Sequence, residues 1–159
     1  MPTPTARLAA LGLDLPPAPR PIGAYVPSLV VNRFLYCSGH LPLLPDGGMV
    51  KGRVGADLDV AAGSRAARQA GLALLATVQA AVGSLDRVRR VVKVLGMVQC
   101  TPEFDQHPQV LNGCSELFAD VWGPEAGVGV RSAVGVASLP AGVAVEIEAV
   151  FELAAAPDS

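Results

Sequence analysis

The chain has 159 residues, a mass of 16.2 kDa and a formal net charge of −2. Hydrophobic residues make up 51% of it and charged residues only 16%, against roughly 25% charged in typical soluble domains. This composition excludes intrinsic disorder, and it predicts a single domain whose apolar surface is covered in part by another subunit. No stretch is long and apolar enough to span a bilayer, and no run of basic residues predicts nucleic-acid binding.

The N-terminal segment, residues 1–20, contains five prolines and predicts an arm on the surface, within which residues 7–13 allow one or two helical turns. The domain itself is expected to span residues 21–154. Its first β-rich runs, 28–31 and 34–38, are separated by Asn32-Arg33 and predict a hairpin. A loop rich in proline and glycine follows, and then a short strand over 49–54.

Two helices alternate with a strand in the middle of the chain. Asp57 or Asp59 can cap a helix that runs to about Val82, where Gly83 provides the left-handed end. The β-branched run 85–98 predicts a long strand buried on much of both faces. A second helix is expected from near Pro108 to Gly123-Pro124, because its apolar residues form one stripe.

The last third predicts a β-hairpin, with strands over 131–139 and 143–153 around a Pro140-Ala141-Gly142 turn. Apolar and glutamate residues alternate along 143–153, the period of a strand with one polar face. The element order ββ(β)αβαββ predicts an α+β domain in which both helices cover one face of a mixed sheet. Self-association through the sheet would cover its other face.

The cysteine and histidine pattern favours neither a metal site nor a disulfide. Cys37, Cys100 and Cys114 are widely spaced in apolar surroundings and are expected to be buried thiols of a reducing compartment. The two histidines lie 67 positions apart without a Cys-x-x-Cys motif, and no glycine-rich loop connects a strand to a helix. We therefore expect no metal and no cofactor. Because the N-terminus lacks the pattern of a signal peptide, we expect a cytoplasmic protein.

Arg131 is the most informative charged residue, because small and apolar residues flank it on both sides. A guanidinium cannot lose its charge when it is buried, so an anionic partner is expected. In the predicted hairpin Arg131 lies opposite Val150, on the same face as Glu148 and Glu152, which allows a cross-strand ion pair. The alternative is a functional site in which Arg131 receives a ligand carboxylate while a nearby glutamate handles a proton or a water molecule.

Several segments together resemble the YjgF/RidA family, also known as the L-PSP endoribonuclease-like family. Residues 131–140 read Arg-Ser-Ala-Val-Gly-Val-Ala-Ser-Leu-Pro and are followed at 145–149 by Val-Glu-Ile-Glu-Ala, which is similar to the C-terminal signature of the family. The other similar segments are 23–25, 36–42, 81–88 and 104–118. The resemblance covers about residues 21–153, and the proline-rich arm suggests a longer branch of about 150 residues.

The resemblance implies a chorismate mutase-like α+β fold and a homotrimer whose sheets form a central barrel, with clefts between subunits. It also implies hydrolysis of reactive enamines and imines, such as 2-aminoacrylate, to 2-keto acids and ammonia. By position, Arg131 would bind the substrate carboxylate and Glu146 would orient or deprotonate water. The substrate-binding residues implied in the same way are Tyr25, Ser38, Gly39, Asn112 and Ala133.

Two other functions stay open at this point. A trimer of this kind could bind small carboxylates through Arg131 without turning them over. The older name of the family suggests RNA cleavage or inhibition of translation, but the net charge of −2 and the absence of a basic stripe argue against an RNA substrate.

Overall fold

The computed structural model describes residues 1–155. The helices are α1 (Pro4–Ala10), α2 (Val60–Val82) and α3 (His107–Trp122). The strands are β1 (Ser28–Val31), β2 (Phe34–His40), β3 (Val88–Gln99), β4 (Val130–Val136) and β5 (Val145–Leu153). The predicted β1–β2 hairpin, both long helices and the central strand are therefore present. No helix in this part of the chain is long and apolar enough to cross a membrane.

The five strands form one mixed sheet in the order β1-β2-β5-β3-β4. β3 and β4 are parallel, and all other neighbours are antiparallel. The predicted hairpin of the last two strands is wrong, because β3 lies between β4 and β5. Since α3 connects β3 to the parallel strand β4, the chain crosses over the sheet there and does not turn back on itself.

The predicted strand over 49–54 is also not formed as a continuous strand. Met49, Lys51 and Val54 make isolated bridges to different parts of the chain. In particular, Val54 bridges Cys100 just beyond the end of β3. The segment therefore ties the loop before α2 to one end of the sheet.

Helix α2 begins as the sequence predicts. Asp59 is its N-cap, and its carboxylate accepts a hydrogen bond from the Ala62 amide at 2.7 Å. Asp57, the other candidate, instead accepts from the Arg53 amide at 2.9 Å. Gly83 ends the helix with φ +86°, a conformation that favours glycine.

Helices α2 and α3 pack closely together on one face of the sheet. A side chain at Gly113 would overlap the backbone carbonyl of Ser64, so glycine permits this close approach. The core between the helices and the sheet includes Leu74, Leu111, Phe118 and Phe151, all with 0% exposure. The helix-covered face of the sheet is thus a complete apolar core within one chain.

The N-terminal segment contains the helix α1, which begins and ends slightly earlier than residues 7–13. Thr3 is its N-cap, and the Thr5 amide donates to the Asp86 carboxylate at 2.8 Å. Leu8 is 7% exposed and belongs to the main core cluster. The first turns of the segment therefore pack against the body of the protein.

Among residues 1–155 no helix covers the opposite face of the sheet, which we call the open face. Apolar side chains on this face remain exposed, among them Phe34 and Tyr36 of β2 and Val130 and Val134 of β4. The alternation predicted for the last strand is confirmed, with Val145, Ile147, Ala149, Phe151 and Leu153 buried in the core. The predicted burial of β3 on both faces is not seen in a single chain, where Lys93, Leu95 and Met97 are half-buried.

Candidate active site

Arg131 lies on the helix-covered face of the edge strand β4, beside Val94 of β3. Its Nη1 donates to Asn112 Oδ1 at 2.9 Å and to Ser115 Oγ at 3.1 Å, and its Nη2 donates to the Pro108 carbonyl at 3.4 Å. All three acceptors are uncharged. Within residues 1–155 no carboxylate lies within 4.0 Å of the guanidinium.

The predicted ion pair between Arg131 and Glu148 or Glu152 is therefore wrong. It depended on a β4–β5 hairpin, and β3 separates these strands. Glu152 instead pairs with Arg33 and Arg89, the latter at 3.1 Å. Among residues 1–155 the positive charge of Arg131 thus has no ion-pair partner.

A cavity of about 270 Å³ opens beside the guanidinium, and we call it the Arg131 cavity. Its lining includes Arg131, Asn112 and Ser115, together with Phe118 and the glycine-containing segment 127–129. A small carboxylate fits such a space, and a guanidinium matches the planar geometry of a carboxylate.

Helix α3 positions the two side chains that hold Arg131. Asn112 and Ser115 are three residues apart and so lie on the same face of the helix. The family resemblance singled out Asn112, but the sequence analysis missed Ser115. The i, i+3 spacing of Asn112 and Ser115 beside the apolar stripe of α3 was the signal for it.

Glu146 lies on the open face, opposite Met97 of β3. It is half-buried, and burial together with the neighbouring charge of Glu148 raises the pKa of its carboxyl. A side chain at Gly39 would overlap the Glu146 carboxylate, so glycine lets this group approach the β2 backbone. A carboxyl with a raised pKa can exchange protons closer to neutral pH.

Ser38, Gly39 and Tyr25 line one further cavity of about 270 Å³, which residues 19–22 and Ala141 border. The Ser38 hydroxyl donates to the Pro27 carbonyl at 3.2 Å, and the Tyr25 hydroxyl accepts from the Ile22 amide at 3.5 Å. Of these residues Gly39 lies against the Glu146 carboxylate, and Ser38 and Tyr25 share its cavity. The structure therefore groups Tyr25, Ser38 and Gly39 on the Glu146 side.

The predicted site residues thus form two groups on opposite faces of the sheet. Arg131, Asn112 and the half-buried Ala133 lie on the helix-covered side, whereas Glu146 lies on the open face. Arg131 and Glu146 are three residues apart along the strands and two strands apart across the sheet, about 14 Å between Cα atoms. A single chain does not bring them to one small ligand.

The remaining candidates for chemistry are the three thiols. Cys37, Cys100 and Cys114 are free and buried, and burial raises the pKa of Cys37 and of Cys114 to about 12. No group of three or more potential metal ligands occurs in the part of the chain that the structure describes.

The sequence and fold of this chain are similar to those of known proteins. A sequence model of the family described as "YjgF/chorismate_mutase-like, putative endoribonuclease" matches residues 5–147, nearly the whole chain. The chain belongs to the YjgF/RidA family. The chorismate mutase-like fold implied by the resemblance is confirmed with it.

Individual proteins are similar to this chain over most of its length. Protein TCP17 of Trypanosoma cruzi is 45% identical over 148 residues, covering 93% of this chain and 92% of its own. The crystal structure of Atu1372 from Agrobacterium tumefaciens has a TM-score of 0.86 and 42% identity, and the match covers 96% of this chain and 94% of that one. RidA from an Antarctic Psychrobacter species has a TM-score of 0.61 and 28% identity, with 86% and 94% covered.

Proposed function

We propose that this protein is an enamine/imine deaminase that hydrolyses reactive 2-imino acids, such as the imine form of 2-aminoacrylate, to 2-keto acids and ammonia. We further propose that its active site lies between two copies of the chain within a homotrimer. Arg131 binds the substrate carboxylate, and Glu146 of a neighbouring copy activates water.

The environment of Arg131 is the observation that carries this proposal. Its guanidinium is held by Asn112, Ser115 and the Pro108 carbonyl, all uncharged acceptors, beside a cavity of about 270 Å³. In the part of the chain that the structure describes, this fixed cation has no ion-pair partner, and at an opening of this size it favours a small anionic ligand.

The separation of Arg131 and Glu146 on opposite faces supports a site made by two chains. The open face that bears Glu146 also carries exposed apolar residues such as Phe34, Tyr36 and Val134. Covering these residues with further copies of the sheet would bury apolar surface and bring Glu146 next to a neighbour's edge strand. Tyr25, Ser38 and Gly39 would enter the site with Glu146, and Asn112 and Ala133 with Arg131.

The chemistry requires few groups, since the imine carbon is already electrophilic. Glu146 removes a proton from water, whose oxygen bonds to the imine carbon while the imine nitrogen takes up a proton. The resulting carbinolamine loses ammonia, and its carbon becomes the carbonyl of the 2-keto acid. Holding the carboxylate on Arg131 places the imine carbon within reach of that water.

Binding of a small carboxylate without turnover is the second candidate. The same contacts of Arg131 support it, and it requires no participation of Glu146. RNA cleavage, which the family description names, gains no support from the net charge of −2. Incubation of the purified protein with labelled RNA tests that activity directly.

The activity assay generates imino acids in situ with an amino-acid oxidase and follows the accelerated release of 2-keto acid and ammonia. We expect Arg131→Ala to slow the catalysed reaction by at least about a hundredfold, because the carboxylate is no longer positioned. Arg87→Ala is the matched control, since Arg87 is exposed and does not line the Arg131 cavity. Equal rates for wild type and Arg131→Ala would refute the proposal.

Mixing two inactive variants tests whether two chains share the site. Arg131→Ala and Glu146→Gln are co-expressed, so that mixed oligomers form. In a mixed trimer, one site contains an intact Arg131 from one copy and an intact Glu146 from its neighbour, and activity returns. If both residues act from the same chain, mixing restores nothing. Calorimetry with 2-ketobutyrate separates a carboxylate-binding protein, which binds it without catalysing the reaction, from the enzyme.

A further inference from the structure

A second group of reactive side chains lies where β3 and β4 end and α3 begins. Cys100 follows β3 directly, and His107 is the first residue of α3. The Cys100 sulfur and His107 Nε2 are 3.4 Å apart, within hydrogen-bonding distance for a thiol. This pair takes no part in the proposed deaminase chemistry.

The backbone is arranged so that the thiol and the imidazole can meet. A side chain at Gly135 of β4 would overlap both Cys100 Sγ and His107 Nε2, so the pair occupies space that only glycine leaves free. Phe104 contacts the His107 ring edge-on, with ring centroids 5.2 Å apart, and so fixes its orientation. These contacts hold the imidazole against the sulfur.

Arg53 supplies a positive charge at the same place. The Val54 amide donates to the Gln99 carbonyl at 2.9 Å, and the Thr101 amide donates to the Val54 carbonyl at 3.1 Å, which fixes this segment beside Cys100. The Arg53 guanidinium makes one long hydrogen bond, 3.4 Å to the Ala137 carbonyl. Across residues 1–155 no carboxylate pairs with it.

All three side chains line one cleft of about 430 Å³, together with Thr101 and Phe104. Burial raises the pKa of the Cys100 thiol, whereas the Val136 backbone hydrogen bond and the charge of Arg53 act in the opposite direction. A thiol of this kind needs an adjacent base when it reacts, and the neighbouring imidazole can accept its proton. The cleft thus combines a nucleophile, a base and an anion-binding group.

We propose that Cys100, His107 and Arg53 form a second reactive site, which takes small carboxylates bearing an electrophilic carbon and bonds them through the Cys100 sulfur. Arg53 binds the carboxylate. As the sulfur–carbon bond forms, the thiol proton moves to His107. With an α,β-unsaturated carboxylate, the electron pair of the C=C bond moves to the carbon next to the carboxylate, which then takes that proton. With an α-halocarboxylate, the halide leaves.

This site lies about 13 Å along β4 from Arg131, since Gly135 is four residues further on. It does not depend on the proposed deaminase function, and it is complete within one chain. A result at Cys100 therefore leaves the role of Arg131 unaffected.

The test compares iodoacetate, an anionic reagent, with neutral iodoacetamide on the folded protein, and mass spectrometry of peptides gives the rate at each cysteine. Cys37 is an internal control, because it is 6% exposed against 7% for Cys100 and borders a cavity without an imidazole. We expect Cys100 to react more than about tenfold faster than Cys37 with iodoacetate. Equal rates at the two cysteines of the wild-type protein would overturn the proposal without any variant.

Two substitutions separate the roles of the neighbours. We expect Arg53→Gln to slow iodoacetate about fivefold at Cys100 and to leave iodoacetamide nearly unchanged, because only the anionic reagent uses the guanidinium. His107→Gln should slow both reagents. Rapid reaction at Cys114, which is fully buried, would reveal a variant that does not fold. An equal effect of Arg53→Gln on both reagents would contradict the anion-binding role.

Discussion

The two faces of the sheet use the same five strands and contrast sharply in what covers them. The helix-covered face meets α2 and α3, and Phe151, Ile147 and Val145 on it have 0% exposure. The open face carries a row of glutamates on β5 beside exposed aromatic residues such as Phe34 and Tyr36. The first face completes the fold of one chain, and the second carries apolar surface that one chain leaves exposed.

The largest expected effect is a loss of stability, and it should differ between two phenylalanines on opposite faces of the sheet. Phe151 is fully buried, with ring centroids 5.7 Å from Phe118 and 5.5 Å from Trp122. Phe151→Ala should lower the free energy of unfolding by about 3–5 kcal/mol, measured by denaturant titration, because it leaves a cavity in the core.

Phe34→Ala is the matched control on the open face, where Phe34 is 37% exposed. We expect a much smaller loss for the chain itself and a weaker association between copies, measured by sedimentation. Equal losses for the two variants would show that the faces do not differ in the way described.

The next effect concerns the contact between Gly39 and Glu146. Gly39→Ala places a methyl group where the Glu146 carboxylate lies, which we expect to cost about 1–3 kcal/mol in stability and to lower the proposed activity. Gly23→Ala is the control, since its methyl group would make only ordinary contacts with Tyr25. Unchanged activity of Gly39→Ala in the imino-acid assay would show that Glu146 is not part of the active site.

A smaller effect tests how firmly α2 covers its face of the sheet. Asp59→Ala removes the side chain that accepts from the Ala62 amide and should lower the free energy of unfolding by about 1 kcal/mol. Asp59→Asn retains an acceptor and should lose little. Thermal unfolding followed by circular dichroism measures both, and identical losses would mean that charge rather than capping matters.

The smallest expected effect is a pH dependence of stability, which arises at the buried His40 beside α2. His40 is 3% exposed, with its Nε2 2.6 Å from Thr77 Oγ1 and its Nδ1 2.7 Å from the Ser38 carbonyl. Burial lowers the pKa of His40 from its ordinary 6.5, and the hydrogen bond to Ser38 opposes this shift only in part.

Just below pH 6.5 the unfolded chain therefore binds a proton at His40, whereas the folded chain does not. Stability should fall as the pH drops below 6.5, by less than about 1.4 kcal/mol per pH unit, the limit for one proton. Denaturant titrations of wild type and His40→Gln between pH 7 and pH 5 measure the difference. A slope identical in the two proteins would mean that another group carries the dependence.

The sequence predicted correctly those features that are set by residues close together in the chain. The cap at Asp59, the left-handed end at Gly83 and the alternation along β5 follow from a few neighbouring residues each. The pairing of β4 does not, because its partner β3 lies a whole helix earlier in the chain. Pro140-Ala141-Gly142 does form a turn, as predicted, but the strands on either side of it belong to different pairs.

The sequence singled out Arg131, Asn112 and Glu146, but it did not predict how the fold arranges them. An isolated arginine in an apolar segment indicated an anion, and this reasoning did not depend on the strand order. Its uncharged partners Asn112 and Ser115 come from α3, which only the parallel crossover brings next to β4. The Cys100–His107 pair was missed for a similar reason, since the loop between them folds back over Gly135.

The position of β5 in the middle of the sheet governs how the chain can be assembled. In chain order β5 follows the other four described strands, and it is the strand that joins the β1–β2 hairpin to the β3–β4 pair. Until residues 145–153 are in place, the sheet exists as two halves with unpaired inner edges, and its longest-range contacts are the last to form. The native sheet therefore cannot close before residues 145–153 have been made, and a nascent chain stalled before β5 would expose the inner edges of β2 and β3.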